Sequence, residues 1–229
     1  MLRLILAFLS YNYSTLKRVF PELCAWVSAR GNIKIGRLPS ISQFPGRTCM
    51  RKAPCLEFEP GKRIRFCYPL RTMKVRKTVA QNYRHNTWLA RFHPRLYFLS
   101  IGAWLAQYGY KSGFFRWHVG GDIPSFPYLI RMLRLAESFP HVRFLCFTKR
   151  YAWVSRVKDR IPPNLAMVLS AWPELEIPDS CEGLPRAYMD DGTDTRIPSD
   201  AIHCHGGCDT CGMCWNLPSL GRDVRLHKH

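Results

Sequence analysis

Seven of the ten cysteines fall into two groups whose spacing could hold metal. The first group, Cys49, Cys55 and Cys67, lies in GRTCMRKAPCLEFEPGKRIRFCYP, with five and then eleven residues between successive thiols. Three thiolates from one loop are the minimum for a cubane iron–sulfur cluster with one iron left open. They are equally three of the four ligands that a zinc ion needs. Arg47, Arg51, Lys52, Lys62, Arg63 and Arg65 lie among them, and positive charge favours thiolate over thiol. The second group, HCHGGCDTCGMCW, sets Cys204, Cys208, Cys211 and Cys214 within eleven residues. Thiols this dense point to an auxiliary iron–sulfur cluster or to tetrahedral zinc. Four cysteines leave His203 and His205 no obligatory role as ligands. Cys24, Cys146 and Cys181 stand outside both groups.

A disulfide framework would suit a shorter, exported chain, so clustered thiols in a reducing cytoplasm are the expectation. The opening MLRLILAFLSYNYS has a short apolar run but no small-residue cleavage site, and the run is too short to span a bilayer.

The elements that would position these residues can be read from hydrophobic periodicity. Phe114 to Val119 is aromatic and apolar enough for a buried strand. Gly120-Gly121 breaks it and permits backbone geometry that a side chain would forbid. Asp122 follows, and Pro124-Ser125 suits a helix entry. Leu129, Ile130, Leu133 and Ala136 then recur at helical spacing until Pro140. Val142 to Thr148 is a second strand, closed by Lys149-Arg150. Strand, helix and strand in under 40 residues make a parallel βαβ unit. Ligands of such folds bind at the C-terminal ends of strands, which is where Gly120-Gly121-Asp122 falls. Strand alternation puts Arg116 and His118 on one face, toward that ligand.

Around this unit, residues 2–28 read as one or two helices broken at Pro21, and 31–46 as a loop. Residues 72–110 read as two helices parted at Pro94, 152–160 as a further helix, and Leu165 to Ala171 as a third strand. Beyond Trp172 the chain turns loop-rich and acidic. The expected organisation is an N-terminal helical segment and loop (1–46), a cysteine loop with an α/β core (47–175) and a cysteine-rich metal-binding extension (176–229). Alternating strands and helices give an α/β fold, most simply a full or partial parallel (β/α) barrel.

Charge is distributed unevenly. Residues 1–110 carry 19 Lys/Arg against 3 Asp/Glu, whereas 111–229 are nearly balanced, and the net charge is +18. A basic half points to an anionic partner, nucleic acid among them. The aromatic and basic residues of 72–110 could stack on and neutralise a single strand, or form core. There is no Walker loop, no nucleophile elbow and no paired-carboxylate constellation.

The order GNIKIG (31–36), GRTC with Cys49, Cys55, Cys67-Tyr68, RWHVGGD (116–122), FTKR (147–150) and a terminal cysteine cluster ending in Cys214-Trp215 resembles the phage gene product 88 domain. That family is in turn similar to radical S-adenosylmethionine (SAM) enzymes. The resemblance implies a radical-SAM-type barrel in which Cys49, Cys55 and Cys67 hold a 4Fe–4S cluster whose open iron chelates the methionine amine and carboxylate. Gly120, Gly121 and Asp122 would then match the Gly-Gly-Glu motif that borders SAM, with Arg116 and His118 beside them. It implies an electron donor and a setting in the cytoplasm of an infected bacterial host. The radical SAM loop spaces its cysteines by three and two residues, a spacing found here in Cys204, Cys208 and Cys211 instead. The expectation is thus a SAM-using iron–sulfur modifying enzyme. Its rival is a non-catalytic zinc or iron–sulfur protein that binds nucleic acid.

Overall fold

The structure is a computed structural model that describes residues 12–227 apart from 33, 59–60 and 62–65. The expected helical positions Leu2 to Leu9, and Lys62, Arg63 and Arg65 of the cysteine loop, lie outside the described residues.

A short helix, α1 (Tyr13–Val19), is capped by Asn12, whose side chain accepts from the Thr15 amide. The chain then runs to a two-residue strand, β1 (Ser40–Ile41), and through the cysteine loop. Three helices follow: α2 (Tyr68–Val75), α3 (Lys77–Phe92) and α4 (Pro94–Trp104). Pro94 parts α3 from α4 because its ring favours a helix start and cannot donate inside one. A π turn (Leu105–Gly109) and a last turn (Tyr110–Ser112) lead to Gly113, whose φ of +65° ends the helix in the left-handed region. The βαβ unit is β2 (Phe114–Trp117), α5 (Phe126–Ser138) and β3 (Arg143–Thr148). Ser125 caps α5 by accepting from the Tyr128 amide, as the Pro-Ser entry predicts. The chain continues through α6 (Tyr151–Ser155), β4 (Leu165–Ala171), β5 (Arg186–Asp190), β6 (Ile202–His203), α7 (Cys208–Cys211), α8 (Leu217–Leu220) and β7 (Val224–His227).

All seven strands are parallel, in the order β1-β2-β3-β4-β5-β7-β6. Among the described residues the outer strands β1 and β6 are not joined, so the sheet is open and a closed barrel is not formed. The sheet also draws on all three expected stretches, with β1 from the first and β5 to β7 from the last.

From β1 to β5 each new strand adds on the same side, and right-handed crossovers then place the connecting helices on one face. The core agrees with this. Phe115, Trp117, Phe144, Cys146, Leu165, Met167 and Leu169 pack against the helices through Phe98, Tyr128, Leu129 and Val154. Leu145, Ala166, Val168 and Ala187 point to the other face. That face is covered by Ile35 and Leu38 of the N-terminal loop and by Trp215 and Leu217 of the C-terminal segment. Trp215 is fixed there by donating its indole N–H to the Arg143 carbonyl. Among the described residues, no helix is long and apolar enough to cross a membrane.

Candidate functional site

The C-terminal ends of the strands border a cavity of about 250 Å³. Cys49, Cys55 and Cys67 all line it, together with Gly121 and Asp122, so the structure joins two motifs that the sequence keeps more than fifty residues apart. Arg116, His118, Phe147, Lys149, Ser170 and Trp172 bring β2, β3 and β4 to the same wall.

Gly120 sits behind this wall. Its amide donates to Ser42 Oγ and its carbonyl accepts from the Gln43 amide. A Cβ on Gly120 would stand 2.7 Å from the Tyr83 ring. Gly121 has φ +80°, and a Cβ there would meet Thr48 Oγ1 at 2.6 Å and the Gln43 carbonyl at 2.7 Å. The paired glycines therefore let the cysteine loop and α3 close directly onto the end of β2.

Asp122 is buried and serves as a tie. Its carboxylate accepts from Thr148 Oγ1 at 2.6 Å, the Ile123 amide at 2.7 Å and the Lys149 amide at 3.0 Å, and its own amide donates to Thr48 Oγ1. Burial raises its pKa above the usual carboxylate value, while the Thr148 bond and the two amides pull the other way. Arg150 completes the clamp by donating to the carbonyls of Thr48 (2.6 Å) and Ile123 (3.0 Å). Thr148 and Arg150 of the FTKR motif thus hold the cysteine loop against the Gly-Gly-Asp turn.

His118 departs from the strand alternation. Its φ is +52°, the positive-φ exception among the described non-glycine residues, so the pleat ends at Trp117. One ring nitrogen meets the Tyr128 hydroxyl at 3.1 Å and the other lies 3.7 Å from Cys146 Sγ. Burial holds His118 down at about 3, so the ring is neutral. Arg116 faces differently. Its guanidinium lies 4.9 Å from the Phe147 ring centre and donates to Cys208 Sγ at 3.5 Å. The expected pairing of Arg116 and His118 on one face fails because the left-handed turn at His118 ends the period of two.

The thiols of the first group sit in contrasting surroundings. Cys49 Sγ accepts from the Gly46 amide, yet burial pushes its pKa up to about 11. Cys55 and Cys67 are hydrogen-bonded to each other, which lowers Cys55 and raises Cys67. Lys149 favours the thiolate at both Cys49 and Cys55. Lys34 and Arg71 add positive charge to the same wall. Lys34 lies 4.1 Å from the Tyr68 ring centre, and burial followed by Arg71 lowers its pKa. Lys149 and Trp172 stand at strand ends, where the sequence places them, whereas Lys34 escapes sequence reading because only the fold brings it to this wall. Lys34 does lie within the GNIKIG motif.

The second group sits on the segment between β6 and β7. Cys204, Cys208 and Cys214 pack against the core of the covered face, while Cys211 is exposed. Burial raises Cys208, and it pushes Cys214 up to about 12. Cys204 and Cys211 raise both of these further, and Arg116 lowers both. The segment is pinned to the N-terminal loop, where Asp209 accepts from the Arg37 amide at 2.7 Å. Gly36 leaves room for this contact, since a Cβ there would lie 1.8 Å from the Asp209 carboxylate. Among the described residues, no three or more His, Cys, Asp or Glu side chains are arranged to hold one metal ion.

These features define an α/β protein with an open parallel sheet and a cysteine-lined cavity at the strand ends. A family model described as gene product 88 matches residues 9–180, and the chain belongs to that family. The match takes in the first cysteine group, Gly-Gly-Asp and FTKR, and stops before the second cysteine group. No curated protein and no solved structure matches the chain.

Proposed function

We propose that this protein is an iron–sulfur enzyme of radical SAM type, built on a partial (β/α) barrel and acting in the cytoplasm of an infected bacterium. The observation that carries the reading is the shared cavity of Cys49, Cys55, Cys67, Gly121 and Asp122 at the C-terminal ends of parallel strands. The donor set fits a cubane better than a single ion. A cubane takes its thiolates on separate irons, so they need not converge on one point. A positive wall of Lys34, Arg71, Arg116 and Lys149 suits an anionic cluster and a carboxylate-bearing ligand. When bound, such a cluster would supply the electron that cleaves the SAM sulfonium, given an external electron donor. Asp122 and Arg150 hold the cysteine loop, Gly121 keeps the wall thin, and Trp172 and Phe147 provide apolar surface. His118, neutral and bonded to Tyr128, braces the turn at the cavity wall. Cys204, Cys208, Cys211 and Cys214 would hold a second cluster or a zinc ion.

Anaerobic purification tests the reading. Brown protein with about four irons for the first cysteine group, lost in the Cys49→Ala/Cys55→Ala/Cys67→Ala variant together with SAM binding, is the expected result. Colourless protein with stoichiometric zinc at both groups would overturn the cluster proposal and favour the second reading, a non-catalytic metal protein that binds nucleic acid. That second reading draws on the mutual proximity of the four C-terminal thiols and on the basic first half of the chain.

A further inference from the structure

The aromatic residues of α3 and α4 divide into two populations. Tyr97, Phe98 and Trp104 are buried in the core, as aromatics at helical spacing usually are. Trp88 and Phe92 are instead 45% and 58% exposed on the C-terminal half of α3, with ring centres 6.0 Å apart. They line a groove of about 580 Å³ with Phe44, Arg47, Arg84 and Arg91. The arginines are laid over the rings. Arg47 and Arg84 stand 5.4 and 5.8 Å from the Phe44 centre, and Arg91 stands 5.3 Å from the Phe92 centre. Arg131 adds a further cation, and no described residue lining the groove is acidic.

We propose that this groove binds single-stranded nucleic acid, with bases stacking on Trp88 and Phe92 and phosphates meeting Arg47, Arg84 and Arg91. Exposed aromatic rings beside guanidinium groups match the two needs of an unpaired strand, a stacking platform and backbone neutralisation. A duplex hides its base faces and could use only the arginines. An acidic protein surface would likewise leave the rings without a function. The groove also leads toward the cysteine cavity. Thr48 lines the groove and the next residue, Cys49, lines the cavity. Thr48 is itself fixed by the Asp122 amide and by Arg150. A bound strand would therefore lie against the wall of the proposed catalytic pocket. The inference goes beyond the iron–sulfur reading and does not depend on it.

Fluorescence anisotropy with a labelled oligothymidine, and with a duplex of equal length, tests the proposal on the full chain. The single strand should bind more tightly than the duplex. Trp88→Ala and Phe92→Ala should each weaken binding about 5- to 100-fold, and Trp88→Phe should restore most of the loss. Arg84→Gln and Arg91→Gln should each lower the slope of log affinity against log salt by about 0.7. Tyr110→Ala removes an 83% exposed ring outside the groove and should change nothing. Equal or tighter duplex binding, or an unchanged affinity in the Trp88→Ala/Phe92→Ala double variant with native circular dichroism, would overturn it. Displacement by polyglutamate as effective as displacement by unlabelled strand would overturn it as well. Iron content and SAM binding, measured on the same variants, report separately on the cysteine cavity.

Discussion

The two cysteine groups, one at the strand ends and one on the covered face of the sheet, are built on opposite plans. Cys49, Cys55 and Cys67 are held by structure that exists without them: a buried carboxylate tie, an arginine clamp and two glycines that admit close backbone contact. Cys204, Cys208, Cys211 and Cys214 sit on a four-residue helix and short turns, pinned by Asp209 and Trp215. A scaffold that is ordered independently can present a reactive group, whereas the second group rests on short elements anchored by Trp215 and Leu217. The family match follows the same division, since it includes the first group and ends before the second.

The sharpest way to break this comparison is to remove each group's thiols. If the metal proposed for the second group is bound there, replacing Cys204, Cys208, Cys211 and Cys214 with Ser should abolish hydrogen-exchange protection across residues 202–227, because such a metal would contribute on the order of 10 kcal/mol. Replacing Cys49, Cys55 and Cys67 with Ala should leave the protection of β2 to β4 unchanged. The opposite pattern would reverse the assignment of scaffold and dependent segment.

The next largest effect is expected at one carboxylate in each region, Asp122 and Asp209. Asp122→Ala leaves the buried Thr148 hydroxyl and two amides without their acceptor, and should cost about 3 kcal/mol or more in denaturant unfolding. The exposed Asp209 serves the Arg37 amide, and Asp209→Ala should cost about 1 kcal/mol. Similar losses at the two positions would mean that the cavity wall is no better braced than the extension. The glycines extend the test. Gly121→Ala combines a left-handed backbone with three contacts under 3 Å, and should cost about 2–4 kcal/mol. Gly212→Ala has φ +65° and nothing within 4 Å, and should cost about 1 kcal/mol.

The smallest effect near neutral pH comes from the histidines. His118 is held at about 3 when folded and returns to about 6.5 when unfolded. Above pH 6.5 both states are neutral and no term arises. As pH falls below 6.5 the unfolded chain takes up a proton that the folded chain refuses. Stability then drops by about 1.4 kcal/mol per pH unit until about pH 3. His118→Gln should remove this part of the acid limb in denaturant titrations at pH 4 to 7. His203→Gln, in the C-terminal segment, should leave it in place.

Much of the fold was legible because its central elements are apolar and long enough to show a period. LAMVLSA coincides with β4, and the expected ends of β2, α5 and β3 shift by only one or two residues. The strands that escaped notice have physical reasons to do so. β1 is two residues long and begins with Ser40, while β6 and β7 carry histidine and arginine near the sheet edge. In the site, the Gly-Gly break and the thiols were visible as residue types. The turn at His118 was not, because a single positive φ leaves no mark on an alternating pattern. The expected helix over 152–160 is shorter, ending at Ser155 before a 3-10 turn at Lys158–Arg160.

Strand order has a consequence for how the chain is assembled. From β1 to β5 each strand pairs with its predecessor in sequence, so the sheet can grow in the direction of synthesis. The last two strands reverse this order. β6 pairs with β7 and, among the described strands, with no other, so it stays without a neighbour until β7 follows. The C-terminal cysteines lie between these two strands. They close over the sheet only once β7 is in place, and β7 also contributes Leu226 to the cavity wall.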